Sequence, residues 1–394
     1  MMRPPWSAMP ALLCLAAAAP ACSNVMPDAH VQRTDSAGVE ILTHTGADAP
    51  LDWTFTAAFT LGGKDTDEES FFQLGPEMIG VDDERRIYVL DNSSGRVIVF
   101  DADGRHLRTM GGKGGGPGEM GFPITLSVAP DGAAAVFDIS KRGFVRFGPD
   151  GEILDEQRVT AALGNGAARF VGDGIVLPIH DIDTDRGVAR DGLVLVTGPD
   201  TTAFATTERA AGGVVSLASC GMQFMGVGPV FQPSLRWSPF GSAVAVAATA
   251  TYDIVVYRDG HPAQRLRRSV APVPATAELA AARVGTEMKV MGPGGGVRTC
   301  DPQEVVEQRG VADAIPVIAA LAEGLDGTLW VRRAGAPGEA QPTDVFDAAG
   351  TYLGSLPPGA PFPSAVLGDH LIAVERDDMD VERLVVYEVS SGSS

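Results

Sequence analysis

The chain has 394 residues, 45% of them apolar, with 30 Lys and Arg against 50 Asp and Glu, a formal charge of −20. That suffices for one large domain or two ordinary ones. Nucleic acid is excluded as a partner, because no Lys/Arg run or basic stripe offsets the repulsion of a polyanion.

At the start of the chain Arg3 precedes an apolar stretch over residues 11–19, and Ala19, Pro20 and Ala21 form a small-residue exit before Cys22. Residues 1–21 therefore read as a secretory signal, too short for a permanent membrane span. The small residues before Cys22 also resemble a bacterial lipobox, although Ala19 stands where Leu is usual and Pro20 is unusual there. The resemblance implies an acyl chain on Cys22 with residues 22–37 as a tether, and Ser23 points by the same analogy to the outer membrane. Plain cleavage at Ala-x-Ala implies a periplasmic protein instead. The lipid would be the sole attachment to a membrane, since no later apolar run approaches spanning length. Of the four cysteines, Cys14 lies in the signal and Cys22 is the lipidation candidate. Cys220 and Cys300 remain, and in an oxidising compartment they read as one disulfide, with two buried thiols as the alternative.

Residues 38–62 hold two strand-like runs, VEILTH and WTFTAAFTL. Beyond them an offset of 47 residues superposes Pro76 on Pro123, Val81 on Val128, Val89 on Val136, Asp91 on Asp138 and Phe100 on Phe147. It continues with Asp103 on Asp150, Gly104 on Gly151 and Leu107 on Leu154. Within the first unit, segments 78–81, 86–90, 97–100 and 105–110 have strand length, and Asp, Asn, Ser and Gly separate them with turn chemistry. Each unit is thus a four-stranded antiparallel meander, the pattern of a propeller blade.

Between the two units lies GGKGGGPGEMGFP, residues 111–123, in which Gly116, Gly118 and Gly121 spell G-x-G-x-x-G. A dinucleotide turn needs a helix after its third glycine. Here Phe122-Pro123 and a strand follow, and Lys113 comes before the glycines rather than after them. The run is read as the crossing from the outer strand of one blade to the inner strand of the next. Weaker units follow over residues 167–207, 238–260, 325–356 and 363–389, six in all, and residues 38–62 are placed to add a strand to the last and close the ring. Residues 275–310 break the pattern: ATAELAAARVGTEMKV is rich in helix formers, and DPQEVVEQ offers Asp301 as N-cap, Pro302 at the first position and Glu304 three residues on.

The glycine-rich link, Phe122-Pro123, a strand, Asp131-Gly132, a second strand ending in Asp138, then Phe147 and Asp150-Gly151 resemble NHL-type and TolB-like six-bladed β-propellers, particularly exported bacterial propeller lipoproteins. The resemblance implies an all-β, six-bladed propeller of four-stranded antiparallel blades over residues 38–390, with a helical insertion near 275–310. It implies no single activity.

Chemistry is sparsely signalled. His30, His44, His106, His180, His261 and His370 stand apart from one another and from Cys, without a metal-ligand spacing. Asp181, Asp183 and Asp185 alternate as in a calcium loop, but Gly192 occupies the place of the closing Glu, so calcium competes with a solvated loop. Gluconolactonase-like propellers, which hold a divalent cation in the channel, would place it nearest Asp91, Asn92 and Asp138. Asp91 and Asp138 recur at the repeat period, however, and read as turn-formers. No G-x-S-x-G elbow is present.

The leading expectation is an exported, lipid-anchored module that binds a ligand or protein partner without catalysis and without a cofactor. Its site would lie at the channel end under the insertion, with Gln223, Phe224, Met225, Arg236 and Trp237. The alternatives are a calcium-dependent hydrolase or lactonase and a structural subunit of an envelope complex.

Overall fold

The computed structural model describes residues 31–62, 71, 74–159, 166–183, 185–291, 296–376 and 381–391. The signal, Cys22 and the first part of the tether lie outside these residues.

Six sheets form the ring. Blade 1 runs Ile79–Val81, Ile87–Asp91, Arg96–Phe100 and His106–Gly111, and blade 2 runs Pro123–Val128, Ala134–Asp138, Gly143–Phe147 and Ile153–Arg158. The last three strands of the two blades sit 47 residues apart at both ends, as the repeat requires. In each blade the third strand carries a bulge just before an aromatic residue, Phe100 or Phe147, and blade 5 repeats this at Phe346. In blades 1 and 5 the turns that follow use Asx chemistry: Asp101 accepts from the backbone of Asp103 and Arg105, and Asp347 from that of Ala349 and Thr351, whereas blade 2 has Gly148 at this place. Gly104 and Gly350 then take φ values of 81° and 82°, which a side chain would resist.

Blade 3 comprises Arg169–Val171, Gly174–Asp183, Val188–Thr197 and Asp200–Ala210, and blade 5 comprises Ile318–Glu323, Leu329–Arg333, Thr343–Phe346 and Tyr352–Leu356. Blade 6 is built from Ala365–Leu367, His370–Arg376 and Glu382–Ser391, and Trp53–Leu61 pairs antiparallel with the last of these as its outer strand. The ring is therefore closed by WTFTAAFTL, as expected, which supplies the outer strand of blade 6.

VEILTH does something else. Blade 4 runs Arg236–Phe240, Ala243–Ala247, Asp253–Arg258 and His261–Arg268; Val39–His44 pairs parallel with the last of these, and Val31–Ser36 adds a sixth strand outside it. Residues 31–36, read as the end of the tether, are thus a strand. Between blades 4 and 6 the N-terminal segment crosses blade 5, where Leu51 donates to the Ser355 carbonyl and the Ser355 amide donates to Ala49. Asp48 in that crossing binds Arg268 of blade 4 at 2.9 Å and Arg333 of blade 5 at 2.6 Å.

Separate apolar clusters fill the wedges between blades. Tyr88, Val89, Leu126, Val136, Ile372 and Val386 join blades 1, 2 and 6, while Trp330, Val345, Leu356 and Leu371 join blades 5 and 6. Each fully buried side chain of this size contributes on the order of 2 kcal/mol of transfer free energy.

The insertion is only half helical. Helix α1 (Ala277–Val284) starts at Thr276, whose side chain accepts from the Leu279 amide, and it stops at Gly285. The expected continuation to Val290 instead forms a hairpin, Met288–Met291 with Val297–Cys300. Helix α2 (Pro302–Arg309) is capped by Asp301 as expected. Glu304 does not fold back on its own helix; it reaches across to accept from the Ala218 and Ser219 amides at 2.6 and 3.0 Å.

Candidate functional site

The two long excursions from the ring meet on one side. Residues 211–235, between blades 3 and 4, contain the hairpin Gly212–Leu217 with Met222–Gly226, and residues 269–317, between blades 4 and 5, contain α1, α2 and their hairpin. A Cys220–Cys300 disulfide joins them, with the two Cα atoms 4.8 Å apart across 80 residues of sequence. Val215, Leu217 and Val305 pack around the bridge, and Val230 packs with Ala280 and Val306. The two excursions thus form a cap with its own apolar core.

Two recesses meet beneath it. The channel, with a volume of about 500 Å³, receives residues from all six blades, among them Ile79, Val128, Phe170, Trp237, Leu321 and Ala365. A second cavity of about 850 Å³ lies between the cap and the rims of blades 4 and 5. Arg236 and Ala319 line both, so the two adjoin at these residues.

Charge is distributed unevenly along this recess. In the channel Arg169 and Arg236 are balanced by Glu77 and Glu323. Arg169 donates to the Leu126 and Ala168 carbonyls, and burial pushes its pKa down to about 10 against the opposing pull of Glu77, which leaves it a cation at neutral pH. Burial raises the Glu323 carboxyl although the Gly241 amide donates to it at 2.9 Å. Under the cap, Arg236, Arg283 and Arg309 line the cavity, and none of the three pairs with a carboxylate among the described residues. Burial first, and then the like charge of Arg283, lowers the Arg236 guanidinium from its ordinary value. Burial does the same to Arg309, whose Nε donates to the Gly228 carbonyl at 3.0 Å. Arg333 also reaches this cavity, but Asp48 and Asp344 neutralise it.

The residues singled out from the sequence divide. Arg236 and Trp237 open the inner strand of blade 4 and face the channel. Gln223, Phe224 and Met225 do not join them. They lie on the cap hairpin, where strand alternation turns Phe224 toward the disulfide core, Gln223 outward to Ser216, and Met225 to solvent with 75% exposure. Asp181, Asp183 and Asp185 sit at the far end of the long blade 3 hairpin, where Asp181 is opposite Arg190 and Asp183 accepts from the Arg186 amide. Among the described residues no group of three or more His, Cys, Asp or Glu side chains is placed to hold a metal ion.

Asp91 and Asp138 are engaged in turns. Asp91 accepts from the Ser93 amide and hydroxyl, and Asp138 accepts from the Phe122 and Lys141 amides. Burial opposes their charge, but these hydrogen bonds outweigh it and hold both carboxyls below the ordinary range.

Arg283 and Arg309 were not legible as site residues. Each occupies the last turn of its helix, where a cation is ordinarily explained by the helix dipole. The disulfide, which brings both helix ends over one cavity, is the signal that could have found them.

Similarity to known proteins agrees with the ring. A family model described as a 6-bladed beta-propeller, DUF5128, matches residues 66–165, the stretch that holds blades 1 and 2. No curated protein matches the chain in sequence. Among solved structures, a Bacteroides fragilis protein described as exported is 13% identical, with 90% of this chain and 100% of that one aligned at a TM-score of 0.53. A member of the DUF4221 family from Bacteroides vulgatus is 10% identical over 86% of this chain and 99% of that one, at a TM-score of 0.51. At such identity the likeness concerns the fold. The six-sheet ring, its terminal closure and the matched blades together identify the chain as a six-bladed β-propeller.

Proposed function

We propose that the protein is an exported binding module that seats a ligand in the recess shared by the channel mouth and the cap. The observation that carries this reading is that the two cavities adjoin at Arg236 and Ala319 beneath a disulfide-tied cap. A concave site of this size with a few convergent polar groups is the usual form of a small-molecule pocket. Disulfide use and the signal-like residues 1–21 support export, and the lipobox resemblance supports an acyl anchor on Cys22. The mass of the mature N-terminus, measured beside that of Cys22→Ser, tests the anchor: loss of the added acyl mass in the variant is expected, and an unmodified wild-type Cys22 refutes it.

The recess is tested by thermal shift against a chemically diverse set of small molecules. A ligand of the recess raises the melting temperature of the wild type but not of Ala319→Trp, whose indole would fill the junction between the cavities. A ligand that stabilises both proteins equally binds elsewhere and overturns this reading.

A further inference from the structure

We infer that the cap cavity selects organic anions that carry a ring, with Arg236, Arg283 and Arg309 as the anion-recognition residues and Phe231 as the ring contact. This rests on the recess reading above and adds the ligand class.

The charge argument comes first. In a chain with 50 acids against 30 Lys and Arg, an arginine without a carboxylate partner is the less common case, and here Arg309 is half-buried while Arg236 and Arg283 are exposed. All three line this one cavity, Arg283 lies near enough to Arg236 to disfavour its charge, and Glu339 is the sole acid in the lining. Over both recesses Arg169, Arg236, Arg283 and Arg309 face Glu77, Glu323 and Glu339, and the cation in excess lies under the cap, where a bound anion would relieve it. Guanidinium forks suit planar carboxylate or tetrahedral sulfate and phosphate oxygens, each accepting two hydrogen bonds.

Backbone conformation supplies an independent observation. Phe231 has φ of +66°, in the left-handed region that a bulky aromatic residue rarely occupies. Surrounding structure holds it there: Val230 donates to the Gly310 carbonyl at 2.9 Å, Ala312 donates back to Val230 at 2.9 Å, and Gln232 donates to Pro229 at 3.1 Å. The turn is thereby clamped against the C-terminal end of α2, next to Arg309, and the strained residue lines the cavity. Strain of this kind costs on the order of 1–3 kcal/mol and persists where the fold over-determines it, as in ligand clamps. With Val284, Met288 and Ile318 it gives the cationic pocket an apolar wall, which a bare inorganic anion would not use.

Two sources share this chemistry, uronate-bearing sugars and aromatic carboxylic acids. Calorimetric titration of the full mature chain with trigalacturonate and with 4-hydroxybenzoate tells them apart, with galactotriose and 4-hydroxybenzyl alcohol as neutral counterparts and inorganic phosphate as the ringless anion. One of the two acids is expected to bind at least ~10-fold tighter than its neutral counterpart and than phosphate. Arg236→Gln, Arg283→Gln and Arg309→Gln should each weaken it by about 10-fold or more, as expected for loss of a charged hydrogen bond.

Equal binding of acid and neutral counterpart, with the arginine variants unaffected, overturns the anion class while leaving the recess reading intact. Equal or tighter binding of phosphate overturns the ring requirement, and failure of both acids to bind overturns the proposed class. Tight binding that Ala319→Trp does not disturb overturns the recess reading itself.

Discussion

Replacing Asp344 by Asn asks whether a buried ion cluster locks blade 4 to blade 5. Asp344 is fully buried, and its oxygens meet Arg333 at 2.6 and 2.9 Å, Arg268 at 2.8 Å and the Ser355 hydroxyl at 2.6 Å. Arg268 is itself almost entirely buried, with its guanidinium 3.8 Å from the centre of the Tyr352 ring. The Asn variant keeps the shape and removes the charge, so two enclosed guanidiniums are left with Asp48 alone. Removing one partner of a buried pair costs ~3–5 kcal/mol, and the residual help from Asp48 puts this variant at about 3 kcal/mol. Asp48→Asn should cost about 1 kcal/mol, because its half-exposed carboxylate is screened by water.

Equilibrium urea unfolding followed by tryptophan fluorescence measures both, since Trp330 lies in the blade 5 wedge. Equal costs for the two variants, or an Asp344→Asn protein within about 1 kcal/mol of wild type, would refute the reasoning. A pH series adds a check on Asp48. Hydrogen bonds from Arg333, working against burial, hold its carboxyl below the ordinary value. A lowered carboxylate pKa gives stability that is present above the unfolded value and lost as pH falls through the folded one. The advantage of wild type over Asp48→Asn should therefore close as the pH is taken below about 4.

Cutting the cap disulfide should loosen the cap before the ring. In the Cys220→Ser/Cys300→Ser protein, limited proteolysis is expected to cleave first within residues 211–235 or 269–317; first cleavage within a blade would contradict a separate cap core. Where cap and ring unfold together, the loop-entropy model sets the loss at about 4–5 kcal/mol, readable from the same urea curves. In the glycine-rich crossing, Gly111→Ala should cost ~2 kcal/mol or more, because φ is +77° and the new Cβ would lie 2.5 Å from the buried Met120 side chain and 3.1 Å from the Gly95 carbonyl. Gly115→Ala has nothing within 4 Å and should be within about 0.5 kcal/mol of wild type; a reversed order would show that the run is not a packed crossing.

The ring was legible where a local rule repeats. Strand length, the aromatic residue at the bulge and the tight turn after it are all set within about 15 residues, so Phe100, Phe147 and Phe346 mark the same place in three blades. The destination of VEILTH was not legible. Alternation says that a strand pairs but not with which edge, and its parallel partner, His261–Arg268, lies more than 200 residues away. The insertion failed for a related reason. ATAELAAARVGTEMKV has helical propensity throughout, but Gly285 ends the helix with φ of 91°, and pairing with Val297–Cys300, next to the disulfide, claims the remainder.

For the site, the residue types in CGMQFMGVGPVF suggested a ligand surface, yet the period of two in a strand decides what each can touch. Met222 and Phe224 turn inward to the cap core, so Gln223 and Met225 must turn out, away from the recess. Arg236 and Trp237 line the channel because an inner strand at the start of a blade presents its residues there wherever that blade falls in the ring. Arg283 and Arg309 carry an ordinary explanation in the sequence, as cations closing helices. That explanation accounts for their position and leaves their missing carboxylates unexplained. In a chain of formal charge −20, acids are the abundant partner, and most arginines described elsewhere in the molecule have found one. On the proposed reading, the ligand supplies the acid that these three arginines lack.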